Sequence, residues 1–110
     1  LPEALVIKLR EAGDGVVDLT ARNLAMSAAM VVHHRNNGDN DQEAGSERVN
    51  QRCTELLRQL DSQRVKTRLE VLLEAATQRR GDDLAFLERW GYDDQQKQAI
   101  GDAVHAVAED

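Results

Sequence analysis

With 110 residues, 41% hydrophobic and 31% charged, and a net charge of −6, the chain has the balance of one globular domain of ordinary size. A mean hydropathy of −0.58, with no apolar run near the roughly 20 residues that span a bilayer, argues against a membrane protein. Aromatic residues make up 3%, so the core must be filled by Leu, Val, Ile and Ala on closely spaced helices. Alternating runs bounded by hairpin turns, the signal of strands, are missing.

Pro2 suits a first helical turn, and Leu5, Val6, Leu9 and Ala12 follow at helical spacing, which predicts a helix over 2–12. Gly13-Asp14-Gly15 stops it. A second helix is expected over 16–35, with Val17, Leu24, Ala28 and Val31 on one face and Ala21 and Ala25 beside them. Its small side chains let a neighbour come close, so this is the candidate for the most buried helix. Asn36 to Ser46 is polar and acidic and reads as a mobile surface loop, with Ser46 capping the next helix.

Arg48 to Arg80 is the longest stretch without Gly or Pro. Its apolar residues form two stripes: Val49, Cys53, Leu56 and Leu60, then Val65, Leu69, Leu72 and Ala76. The five-residue step from Leu60 to Val65 rotates the second stripe away from the first, and Asp61 and Ser62 are good helix starters. Two helices, 46–60 and 62–80, are therefore expected to meet near Asp61-Ser62. Gly81 reads as a C-cap and Asp82 or Asp83 as the cap of a short helix over 83–90. Phe86, Leu87 and Trp90 are expected to plug one end of the bundle. A last helix over 94–108 buries Ala99 or Ile100, Ala103, Val104 and Val107.

The charge is unevenly placed. Residues 1–35 are neutral, 36–47 carry −4, 48–80 carry +4 and 81–110 carry −6. The lone cysteine, Cys53, excludes an intramolecular disulfide and favours a reducing, cytoplasmic setting. The chain begins at Leu1 rather than Met, which fits a fragment or a processed chain.

Motifs that carry chemistry are missing in detail. The acids after Asp39 fail the EF-hand pattern, because its sixth and twelfth positions fall on Ala44 and Asn50. His33 and His34, being adjacent on a helix, point about 100° apart and do not face one ion. Glu70 and Glu74 lack the Glu-x-x-His partner of a di-metal bundle. No phosphate loop, nucleophile elbow or zinc-protease motif occurs, and Cys53 sits on an apolar stripe where burial keeps a thiol inert. No enzymatic activity, cofactor or metal is expected.

The fold class that follows is all-α: a compact bundle of five or six helices in a single domain, 1–110, broken near Asp61-Ser62. The functional expectation is a non-enzymatic interaction or regulatory domain, acting with a protein partner or as a homodimer, and no membrane role. Arg64, Lys66, Arg68, Arg79 and Arg80 are the recognition candidates, because they concentrate positive charge on an acidic chain. The alternative is a nucleic-acid-binding regulator. It would use either that basic face or a helix-turn-helix-like C-terminal half, although Asp93 and Asp94 at the start of its second helix would repel phosphates.

Overall fold

The computed structural model describes residues 2–109, and these form six helices: α1 Glu3–Ala12, α2 Asp14–Asn36, α3 Asn40–Gln59, α4 Ser62–Gln78, α5 Leu84–Trp90 and α6 Asp94–Ala108. Helix α2 is the axis. It packs most extensively on α3, then on α6 and α4, while α4 also packs on α6. Ala21, Leu24, Ala25 and Ala29 are fully buried between these helices, and Leu57, Leu72, Leu87 and Ile100 close over them from α3, α4, α5 and α6. Because the α2 side chains at the centre are small, helix axes can come near the short end of the usual 8–10 Å spacing.

Helix α2 is also long and apolar enough, by length and composition, to cross a membrane, and half of that window is buried inside the fold. It therefore lies closer to a membrane span than a search for unbroken apolar runs reveals. Its position is that of a core helix.

The expected break between the central helices is present. Leu60 turns extended after α3, and the Asp61 carboxylate accepts from the Arg64 backbone N–H at 3.0 Å to start α4. The stripe of α4 is as expected, with Val65, Leu69, Leu72 and Ala76 all buried, as are Ile100, Ala103, Val104 and Val107 of α6.

Several boundaries differ. The segment expected to be a mobile loop is mostly helix: Gly38, at φ 70°, reverses the chain, and Asp39 caps α3 by accepting from Gln42 N–H at 3.2 Å. Arg35 at the end of α2 then binds Glu43 at 2.9 Å and Glu47 at 3.8 Å across the turn. Ser46 lies inside α3 and caps nothing. Acids near a helix N-terminus are favoured by the helix dipole, so the cluster that reads as loop is a helix start. Helix α2 likewise begins at once after Gly13, so Gly15 is helical. At the end of α4 the C-cap is Arg79, left-handed at φ 55°, rather than the expected Gly81, which follows two residues later with a positive φ of its own, 94°.

The α3 stripe keeps Cys53 and Leu60 as expected, but two positions move by one residue, Asn50 for Val49 and Leu57 for Leu56, a turn of roughly 50° on average. Val49 is 44% exposed and Leu56 half-buried, while Asn50, Cys53, Leu57 and Leu60 face inward. The inward Asn50 donates to the Leu24 carbonyl at 3.2 Å and to Ser27 Oγ at 3.1 Å. That satisfies a polar group whose burial would otherwise cost about 1–3 kcal/mol. At the other end, Leu87 of α5 is buried as expected, but Phe86 is only partly covered and Trp90 is 54% exposed. The aromatic residues line a surface rather than plug the bundle.

Candidate protein-docking face

The five sequence-predicted recognition residues do not form one surface. Arg64 and Arg68 share a side of α4, whereas Lys66, two positions from each, lies about 200° around the helix. Arg64 reaches back to Asp14 at 3.5 Å, Arg80 pairs with Glu74 at 3.3 Å, and Arg79 stands 3.5 Å from Asp94 at the start of α6. Lys66 lies instead on the rim of an aliphatic groove of about 500 Å³ between α3, α4 and α6, with Glu70, His105 and Arg58 near it. Arg58 is occupied there as a helix cap, donating to the carbonyls of Ala106, Val107 and Glu109 at the end of α6.

Arg68 departs furthest from a solvated basic face. Its side chain is 16% exposed and makes a fork with Asp83, at 2.5 and 2.9 Å, while its Nε donates to Asp18 at 3.0 Å. Burial alone would lower its pKa. The hydrogen bonds and charges of Asp83 and then Asp18 outweigh that, and hold the guanidinium above its ordinary value. Asp83 makes no N-cap hydrogen bond to α5, contrary to the sequence expectation, because its carboxylate is taken by Arg68. One cation thus ties α2, α4 and the start of α5 together. It is a clamp within the fold, and its bidentate geometry is one that Lys cannot reproduce.

The helix-turn-helix-like half is committed in the same way. Gly91, at φ 67°, turns the chain from α5 into α6, where Asp93 and Gln96 form a reciprocal capping box. The amides at the start of α6 bond to α2: Gln96 donates to the Ala29 carbonyl at 3.2 Å, and Gln95 accepts from Asn36 at 3.0 Å. Those groups would otherwise be the ones to contact bases. His33 and His34 stack edge to face, with His33 Nε2 lying 3.2 Å from Asn37 Nδ2. Among the described residues no three His, Cys, Asp or Glu side chains converge as a metal cluster would require. Cys53 is buried, and burial pushes its thiol pKa upward.

A different surface stands out once the helices are in place. On α2, Leu19, Arg22, Asn23 and Met26 recur at i, i+3, i+4 and i+7, on the side of the helix facing away from α3. On α5, Ala85, Phe86, Arg89 and Trp90 occupy one face. Between the two sets runs an open groove of about 480 Å³. Leu19 is 59% and Trp90 54% exposed, the two most exposed large hydrophobic residues described. The Arg22 guanidinium lies 5.3 Å from the centre of the Phe86 ring and so bridges the groove floor by a cation–π contact. Two of the three aromatic residues in the chain therefore lie on one half-open surface. Sequence reasoning missed this face because periodicity marks which residues are apolar but not which of them lack a covering helix. Leu19 and Met26, off the alanine stripe of α2, were the available signal.

The architecture and surfaces define a six-helix all-α domain with an internal arginine clamp and one uncovered aromatic groove. Over residues 1–107 the chain matches the family described as Uncharacterised conserved protein UCP020893, and it belongs to that family. No curated protein and no solved structure matches it.

Proposed function

We propose that this chain is a non-enzymatic protein-interaction domain that binds a partner protein through the groove between α2 and α5. The observation that carries this reading is the concentration of exposed Leu19 and Trp90 with Phe86, Met26 and two arginines on one concave surface. Trp and Arg are the side chains most enriched among residues that dominate binding energy, and they act best near the centre of a desolvated patch. Exposed apolar patches on small domains commonly mark such sites. Pairing with a second copy through this same groove is less favourable. A two-fold pairing would gather Arg22 and Arg89 of both copies in one interface with no carboxylate lining the groove, which costs energy as water is excluded. The nucleic-acid reading has less to stand on, since Arg64, Arg68, Arg79 and Arg80 all lie within ion-pair distance of carboxylates of the same chain.

The test is photo-crosslinking inside cells that make the protein. A benzophenone side chain at position 19 should form an adduct with one partner polypeptide, whereas the same group at the comparably exposed position 49 on α3 should not. The purified partner should bind the intact chain and lose at least tenfold affinity for Trp90→Ala. Adducts from position 49 but none from position 19, or full binding by the Trp90→Ala variant, would overturn the assignment.

A further inference from the structure

We infer that the occupant of the α2–α5 groove is an acidic amphipathic helix of a partner protein, a step that rests on the docking role proposed above and specifies its chemistry. Shape comes first. Both walls are helices, and the stretch from Leu19 to Met26 spans about 10 Å, close to two turns. A channel between two helical ridges accepts a third ridge, with apolar anchors at i, i+3 or i+4, and i+7. An extended peptide is the poorer guest. Its backbone N–H and C=O groups would need a sheet edge to pair with, and the described residues form no strand. A helix satisfies its own backbone and brings only side chains to the groove.

Charge supplies the rest. Although the chain carries −6 in total, the only ionic side chains lining this groove are Arg22 and Arg89. Arg89 has no carboxylate within ion-pair distance among the described residues. Arg22 has Asp18 at 3.8 Å, but Asp18 is shared with the Arg68 clamp at 3.0 Å. One arginine stands on each wall. Glu or Asp residues flanking the apolar stripe of a docked helix would therefore meet a cation on either side, in a site where partial exclusion of water strengthens the attraction. A basic helix would bury like charges together, and a neutral one would desolvate both guanidiniums without recompense.

The chain contains a single tryptophan, Trp90, which reports on the groove directly. Two Trp-free peptides of 16 residues are needed, with the same Leu and Phe stripe at i, i+3, i+4 and i+7 on an Ala-rich helix, one flanked by Glu and the other by Lys. Titrated into the full chain, the Glu peptide should shift Trp90 emission to the blue and saturate at least tenfold below the Lys peptide. The long-range field of an acidic chain favours the Lys peptide, so this outcome requires the local arginines to prevail. Arg89→Glu should weaken the Glu peptide, and Arg22→Glu with Arg89→Glu should reverse the preference, with circular dichroism confirming that each variant is folded. Equal binding by both peptides, or tighter binding of the Lys peptide, overturns the acidic occupant while leaving the docking face in place. If neither peptide moves Trp90 emission at millimolar concentration, the docking face falls as well.

Discussion

Helix α2 has two long faces with opposite fates. The inward one, Val17, Ala21, Leu24, Ala25 and Ala28, is closed by α3 and α6, while the outward one, Leu19, Arg22, Asn23 and Met26, borders an open groove. Both carry apolar side chains, so hydrophobicity alone does not separate core from surface. The difference lies in the neighbour. The 20-residue α3 runs alongside α2 and meets small side chains that let it approach. By contrast α5 has 7 residues and ends at Gly91, and beside it Leu19 stays 59% exposed. The groove stays open because α5 packs on α4 rather than along α2, held there by Leu87 and by the Arg68 clamp at its start.

The strongest way to break this contrast is to remove the clamp. Arg68→Ala leaves Asp83, 7% exposed, without its cation, and removing one partner of a buried pair costs about 3–5 kcal/mol. Urea unfolding should show that loss, and Trp90 fluorescence should change at lower urea than helicity does, as α5 leaves first. A loss below about 1 kcal/mol would mean that water already compensates Asp83. Next in size is overpacking of the closed face. Ala25 is fully buried, so Ala25→Leu should cost about 1–3 kcal/mol as α3 and α6 are pushed away.

Much of the fold was legible in the sequence because its periodic stripes are strong. The all-α class, the break at Asp61 and the buried sets of α4 and α6 follow from spacing alone. Three of the errors involve polar residues whose partners lie on another helix. The start of α3 was hidden because Asp39, Asp41 and Glu43 resemble a loop until Arg35 is seen across the turn. Asn50 falls outside the apolar stripe of α3 until the Leu24 carbonyl is placed opposite it. Arg68 counts as a surface charge until Asp18 and Asp83, 50 and 15 residues away, converge on it. The groove was the least legible feature, since it depends on which helix α5 packs against.

A smaller effect distinguishes small residues that are needed from those that are merely small. Gly101 sits inside α6 where it crosses α4, and an added Cβ would lie 3.7 Å from Leu73 and 3.9 Å from Thr77, ordinary contact distances. Gly101→Ala should therefore stabilise the protein by about 0.5–1 kcal/mol, through helix propensity and a less flexible unfolded chain. Destabilisation in thermal unfolding would show that α4 and α6 are packed as tightly as α2 and α3.

The smallest change in stability is expected where the change in binding should be large. Leu19→Ser removes an apolar side chain that is 59% exposed, so folding should shift by no more than about 0.5 kcal/mol. On the inward face, the comparable loss at Leu24, which is fully buried, would cost about 2–5 kcal/mol. If Leu19 is an anchor for a docked helix, the same Leu19→Ser variant should bind the Glu-flanked peptide at least tenfold more weakly while its urea midpoint stays in place. A midpoint that falls as far as that of Leu24→Ala would make Leu19 part of the core. Unchanged peptide binding would restrict the contact to the Trp90 side of the groove.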